Sequence, residues 1–218
     1  MKPAFDPTLY LVTDPDLPGG RSLIEVVAAA VRGGVTLVQL RDKRAEGRAL
    51  LEQARALRDL LDSLDVPLIV NDRVDVAMAA GAAGCHVGQS DLPAAEARRL
   101  LGPDAIVGVS IDAVEQARSV DPDCVDYLAY GPFAATATKA DAGGPVGSAG
   151  LAAVRRLTTL PLIAIGGIDA GNAAAAIRAG ADGIAVVSAI MTAPDPERAA
   201  RQLRGVIDAA RREREAGA

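Results

Sequence analysis

Lysine is scarce in this chain. Lys2, Lys43 and Lys139 are its only lysines, and arginine supplies nearly all the remaining positive charge. A compact, flexible ammonium, kept where planar guanidinium is otherwise the rule, marks positions where that shape is wanted. Lys2 is terminal. Lys43 closes Gln39-Leu40-Arg41-Asp42-Lys43, at the end of an apolar run, and Lys139 closes a stretch with Thr136, Ala137 and Thr138. Two ammoniums and Arg41 just past apolar runs suit a polyanionic ligand; the plainer alternative is solvated surface charge.

Two carboxylates, Asp72 and Asp91, also follow short apolar runs. If they end adjacent strands they meet across one ion. Two carboxylates with positions left for water and phosphate oxygen suit Mg²⁺. The competing reading is two helix N-caps, since Asp72 precedes a helical segment and Asp91 precedes Pro93. Gly166-Gly167 and Val187-Ser188 offer a second anion site, where glycine lets backbone N–H groups approach a phosphate; a tight turn explains a Gly-Gly pair equally well. His86 stands alone, so a histidine-based metal site is excluded, and a packed, hydrogen-bonded core role is expected for it.

The elements that must position these residues alternate regularly. Strands are expected at 9–13, 36–40, 68–70, 84–87, 106–109, 127–130, 162–165 and 183–187. Helices are expected at 22–32, 47–61, 74–80, 94–101, 113–120, 148–157, 173–179 and 196–212. The strands lack strict alternation, as parallel strands buried on both faces do. Gly33, Gly81 and Gly180 sit where left-handed helix caps are needed. No linker divides the chain, so residues 1–218 read as one (β/α)₈ barrel of the α/β class, a TIM barrel. A doubly wound sheet with fewer strands is the alternative, and it requires weak strands such as 84–87 to be misread. In a barrel the ligand site lies at the C-terminal ends of the strands. The polar groups above fall there: Lys43 with Arg41, Lys139 and Mg²⁺ forming a diphosphate-like site, strands seven and eight a monophosphate-like one. Two phosphorylated substrates joining, with diphosphate leaving, would use both.

Composition narrows the class. Half the residues are apolar but only three tyrosines and two phenylalanines occur, so the core is aliphatic. A net charge of −5 argues against a general nucleic-acid or membrane surface. Cys85 and Cys124 have neither metal nor disulfide spacing and read as buried free thiols. No apolar leader or bilayer-length run is seen, so a cytoplasmic protein is expected. Oligomeric state stays open, a homo-oligomer included.

At these residues the chain strongly resembles the thiamine-phosphate synthase family. The matching blocks run in order: Leu9-Tyr10-Leu11-Val12-Thr13-Asp14, Gln39 to Lys43, Asn71-Asp72-Arg73-Val74-Asp75 and His86 to Pro93. Then come Gly108-Val109-Ser110, Gly131-Pro132 with Thr136 to Asp141, Ile165-Gly166-Gly167-Ile168 and Val187-Ser188-Ala189-Ile190. The resemblance implies a transferase joining a hydroxymethylpyrimidine diphosphate to a thiazole phosphate. Carried over by position, Gln39, Leu40, Arg41, Asp42, Lys43, Asn71, Ser110 and Lys139 would bind the pyrimidine diphosphate. Arg41, Lys43, Ser110 and Lys139 would be catalytic, and Asp72 and Asp91 would hold Mg²⁺. Thr136, Ala137, Thr138, Gly167, Val187 and Ser188 would bind the thiazole phosphate. Family members often have proline where this chain has Ala137, an aromatic one place after Phe133, and an Asp-Gly-Val approach to the histidine in place of Gly84-Cys85.

The expected chemistry is alkyl transfer to a ring nitrogen with diphosphate leaving, by a dissociative path through a methylene cation, which needs no general base. A thiazole tautomerase on the same fold would need an acid–base residue and no diphosphate site. A silent phosphate-ligand sensor would bind thiazole phosphate without turnover. The presence of Lys43, Asp72, Asp91 and Lys139 together argues against the tautomerase.

Overall fold

A computed structural model of the protein describes residues 5–17, 19–136 and 143–217. Eight parallel strands close into one barrel in sequence order. They are β1 (Leu9–Val12), β2 (Leu37–Leu40), β3 (Leu68–Asn71), β4 (Gly84–Val87), β5 (Ile106–Ile111), β6 (Tyr127–Tyr130), β7 (Leu162–Ile165) and β8 (Gly183–Val186). β8 pairs back onto β1, Tyr10 opposite Ala185, which completes the ring. The weak run at 84–87 is a true strand, paired on both sides to β3 and β5. That removes the doubly wound alternative.

The helices between them are α1 (Leu23–Arg32), α2 (Gly47–Asp62), α3 (Val74–Ala80), α4 (Ala94–Leu101), α5 (Gly147–Arg155), α6 (Ala173–Arg178), α7 (Ser188–Met191) and α8 (Pro196–Ala216). The longer ones turn an apolar stripe inward. In α2 the stripe is Leu50, Ala54, Leu57 and Leu61, one face of a 3.6-residue period. α8 is set by Asp195, whose side chain accepts from Arg198 N, with Pro196 in the first turn. Two expectations need correction. Residues 113–120 form only a 3₁₀ segment, Val114–Arg118, whose N-terminus is closed by the Gln116 side chain accepting the N–H groups of Asp112 and Ala113. The four-residue α7 has no periodicity to read from sequence. Of the cap glycines, Gly81 is left-handed as expected, and Gly180 also has positive φ. After α1, however, the positive φ falls on Gly34, with Gly33 still helical.

The core has two shells. Outside the barrel, aliphatic strand residues meet the helices. Inside it, Tyr10, Val12, Leu37, Ile69, Ile106, Tyr127, Ile163 and Ala185 fill the lumen. Cys85 is buried in the outer shell, but Cys124 is partly exposed and hydrogen-bonds Asp121, contrary to its expected burial.

The N-terminal end of the barrel is bolted by one repeated device. At three of the four even-numbered strands, β2, β6 and β8, the side chain of the residue just before the strand accepts the N–H of a residue at the start of the preceding odd-numbered strand. Thr36 Oγ1 takes Leu9 N at 3.1 Å, Asp126 takes Val107 N at 2.7 Å, and Asp182 takes Leu162 N at 2.9 Å. At the two aspartates an arginine from the outer layer completes the bolt. Arg98 reaches Asp126 at 2.6 Å and the Ala105 carbonyl; Arg155 reaches Asp182 at 2.8 Å and the Leu160 carbonyl. Among the described residues no helix is long and apolar enough to cross a membrane.

Candidate active site

A cavity of about 1160 Å³ opens at the C-terminal ends of the strands. Its lining draws on every strand, from Tyr10 on β1 to Ala185 on β8. One side of it is charged. β3 ends at Asn71, and the chain then bends sharply at Asp72, whose φ of 59° lies in the left-handed region. A non-glycine residue there costs free energy and is held by its surroundings. The holding contact is Asp72 N donating to the His86 carbonyl at 2.8 Å. Neither aspartate caps a helix. The N-caps of α3 and α4 are Arg73 and Pro93, without side-chain capping bonds. Asp91 instead folds back to accept Gly88 N at 2.8 Å.

The Asp72 carboxyl is raised above its ordinary range, first by burial and then by the hydrogen bond and charge of Asp91 beside it; Lys43 opposes this only in part. Lys43 lies 3.5 Å from Asp72 and is 55% exposed, free to turn toward a ligand. Arg41 follows β2, its backbone N donating to Thr13 Oγ1 at 3.0 Å and its side chain lining the cavity. Lys43, Asn71, Asp72 and Asp91 line the same cavity.

The other side is built of backbone. Gly166 and Gly167 follow β7 with φ of 91° and 66°. The chain leaving β6 zips onto this turn: Phe133 N donates to the Ile165 carbonyl at 2.8 Å and Ala134 N to that of Gly166 at 3.0 Å. A Cβ on Gly167 would lie 2.5 Å from the Ala135 carbonyl oxygen, so the glycine is required for this packing before any ligand is considered. Val187 and Ser188 begin α7 beside it, and Gly167, Val187, Ser188 and Thr136 all line the cavity.

Between the two sides the floor carries buried polar groups. Gln39 Nε2 donates to Tyr10 Oη at 2.7 Å, and Tyr10 and Tyr127 join through their hydroxyls at 2.8 Å. His86 meets Tyr127 Oη through Nδ1 at 3.0 Å and Ser110 Oγ through Nε2 at 2.8 Å. His86 is thus the packed, bonded histidine expected, and it also faces the cavity. Tyr10 and Tyr127 were not singled out by their sequence positions. The available signal was chemical: a phenol inside a strand of an aliphatic core must find a polar partner. Burial, and then the charges of Asp72 and Asp91, push the neighbouring Cys85 thiol up to about 12, so it stays protonated and inert.

Two residues of the expected set stand apart from the cavity. Leu40 is 1% exposed, packed in the outer shell. Asp42 turns its carboxylate onto Arg44 N and Ala45 N, both at 3.0 Å, and shapes the β2–α2 turn. Ala137, Thr138 and Lys139 lie outside the described residues.

Comparison with known proteins agrees along nearly the whole chain. A family model described as thiamine monophosphate synthase matches residues 9–190. A thiamine-phosphate synthase of Xanthobacter autotrophicus is 57% identical over 97% of this chain and 100% of that protein. One from Azorhizobium caulinodans is 54% identical over 95% of this chain and 98% of its own length. The solved thiamine phosphate pyrophosphorylase of Pyrococcus furiosus superposes with a TM-score of 0.86 at 36% identity, covering 94% of this chain and 97% of that one.

Proposed function

The chain belongs to the thiamine monophosphate synthase family, a family of transferases, and from that premise we propose which molecules it joins and how. The substrates are 4-amino-2-methyl-5-(diphosphooxymethyl)pyrimidine and a thiazole phosphate, either 4-methyl-5-(2-phosphooxyethyl)thiazole or its 2-carboxy form. The products are thiamine phosphate and diphosphate; the 2-carboxy form also loses its carboxyl group as CO₂, the ring C2 taking a proton from water. The observation that carries this reading is a single cavity with Arg41, Lys43, Asp72 and Asp91 on one side and the Gly166-Gly167 turn with Ser188 on the other. One side suits a diphosphate and the other a monophosphate, with a floor of mixed apolar and hydrogen-bonded polar side chains between them.

Asp72 and Asp91 fit a divalent cation. Two adjacent carboxylates, one of them half-buried and disfavoured as an anion by the other, are stabilised by such an ion. Mg²⁺ bound there would supply positive charge to the diphosphate leaving group. The residues of the chain do the rest. Arg41 and Lys43 take up negative charge on the departing diphosphate, joined by Lys139, and Asn71 helps hold the same group. Gln39 and Ser110 hold the pyrimidine ring. The C–O bond of the substrate breaks with both electrons going to the diphosphate oxygen, and the 4-amino group donates into the ring to stabilise the methylene cation. The thiazole nitrogen lone pair then closes the new C–N bond. No proton is transferred at that nitrogen, so no general base is required. Ile111, Ala129, Ile165 and Ala185 line the floor and keep water from the cation. Thr136, Thr138 and the Gly167–Ser188 side hold the thiazole phosphate in place for capture. Catalysis is positioning plus fixed positive charge.

The test is direct. Purified protein mixed with both substrates and Mg²⁺ should release thiamine phosphate and diphosphate in equal amounts. Thiazole phosphate binding without product from the mixture would reduce the protein to a ligand sensor. An electron-withdrawing substituent on the pyrimidine should slow turnover strongly, and an unchanged rate would rule out the cationic path.

A further inference from the structure

Tyr10, Gln39, His86 and Ser110 on the cavity floor and Tyr127 buried beneath them come from five strands, and their protons can be counted. Tyr10 and Tyr127 are 1% and 0% exposed and each phenol has one proton to give. The Gln39 amide nitrogen can only donate, so the Tyr10 oxygen accepts there and its own proton goes to Tyr127. The Tyr127 proton then goes to His86 Nδ1. An imidazole that accepts at Nδ1 carries its proton at Nε2 and donates it to Ser110 Oγ. With the Gln39 amide nitrogen facing Tyr10, an imidazolium does not fit, because Tyr127 would have to turn its proton back toward Tyr10, whose own proton would then face an N–H; only a Gln39 turned to offer its carbonyl would accommodate one. Burial raises both phenols above the ordinary tyrosine range, so neither gives up its proton under working conditions.

We propose that this chain of bonds fixes Ser110 as a hydrogen-bond donor toward the cavity, with Tyr127 and His86 as positioning residues, so that the site selects a substrate carrying a ring-nitrogen acceptor at that point. The identity of that ring as an aminopyrimidine rests on the function proposed above. Ser110 stands on a buried histidine, while the charged groups suited to phosphate gather at Lys43, Asp72 and Asp91. Its own carbonyl is held by Gln89 Nε2 at 2.7 Å, which fixes the backbone that presents it. Gly108 belongs to the same device. A Cβ there would lie 2.0 Å from Tyr127 Cζ, so the glycine makes the space in which the phenol stacks on His86, ring centroids 5.5 Å apart.

His86 is the single histidine, so a ¹⁵N-histidine-labelled sample gives one pair of imidazole nitrogen signals. In the substrate-free protein Nε2 should be protonated and Nδ1 not. A proton on Nδ1 would overturn the proposal, because that is the arrangement in which Gln39 turns its carbonyl to Tyr10 and every bond in the chain reverses. This measurement uses no substrate, so it can fail while the proposed reaction stands, and the reaction can fail while the proton order stands. In Tyr127→Phe the Nδ1 signal should move as its donor is lost. Affinity for the pyrimidine diphosphate should fall about fivefold to tenfold, one net hydrogen bond, with inorganic diphosphate and thiazole phosphate affinities unchanged. Ser110→Ala should show the same loss, and the double variant no further loss. An analogue with the contacted ring nitrogen replaced by CH should bind wild type more weakly and Ser110→Ala no differently from the parent. Equal losses for inorganic diphosphate in Ser110→Ala, or for thiazole phosphate in Tyr127→Phe, would sink the assignment.

Discussion

At the N-terminal end of the barrel Arg98 and Asp126 meet at 2.6 Å, 13% and 10% exposed, and the same carboxylate also takes a strand N–H. At the C-terminal end Asp72 faces another carboxylate, Asp91, and its cation Lys43 stands off at 3.5 Å with half its surface in water. Both ends carry charge on residues that flank strands. One end spends that charge internally, every group answered by another. The other leaves it in surplus, and the surplus is what a ligand or ion can use. The same barrel therefore separates the residues that hold it closed from the residues that act, and the two sets should respond differently to substitution.

Asp126→Ala should have the largest effect on stability. It strands the Arg98 charge and the Val107 N–H, and breaking such a buried pair costs about 3–5 kcal/mol. Urea unfolding should show that loss, while turnover per folded molecule stays near wild type. A large fall in turnover at an unchanged midpoint would collapse the distinction between the two ends. Asp91→Ala should do the reverse, lowering turnover by about 10²–10³ with little change in the unfolding midpoint, and excess chelator should reproduce the effect in wild type. If Asp91 served only as a turn-former, stability would move and rate would not.

A smaller effect runs in the opposite direction. The raised Asp72 carboxyl means the folded state binds its proton more tightly than the unfolded chain does. Ionising it therefore costs stability above its folded value, and that cost vanishes below the ordinary carboxylate value of about 4. Without divalent ion, Asp72→Asn should melt higher than wild type at neutral pH, and the gap should close as pH falls. A variant less stable than wild type at neutral pH would show that Lys43 outweighs burial and the Asp91 charge at the site. The smallest change is Ser188→Ala, which removes one hydroxyl. It should weaken thiazole phosphate by roughly 1 kcal/mol and leave pyrimidine diphosphate binding alone, as titration of each substrate would show. Gly167→Val is the poorer probe of that side, since its side chain collides with the Ala134 and Ala135 carbonyls before it could meet a phosphate.

What could be read from the sequence follows from the range of the interactions involved. The eight strands were legible because each is a short apolar run with its polar residues at one end, a local signal. The gathering of Gln39, Arg41, Lys43, Asn71, Asp72, Asp91, Ser110 and Ser188 around one cavity follows from that end rule. Leu40 and Asp42 share a contiguous block with residues that line the cavity, but the Leu40 side chain is packed in the core and the Asp42 carboxylate folds onto its own turn, which a contiguous block does not reveal. The hydroxyl contact of Tyr10 with Tyr127 spans 117 residues and no local pattern announces it. Capping of Asp72 and Asp91 was undecidable from sequence because a strand-end carboxylate and a helix cap occupy the same position in a β–α unit. The backbone bend at Asp72 and the return of the Asp91 carboxylate onto Gly88 N separate them.

The aromatic poverty of the core has an optical consequence. The chain has no tryptophan and three tyrosines, two of which are the phenols on the cavity floor. Its near-ultraviolet absorption and intrinsic emission therefore come largely from chromophores within one or two bonds of Gln39 and Ser110. Occupation of the site perturbs those phenols with no tryptophan signal to mask it, so the unlabelled protein reports its own ligand state in a tyrosine difference spectrum.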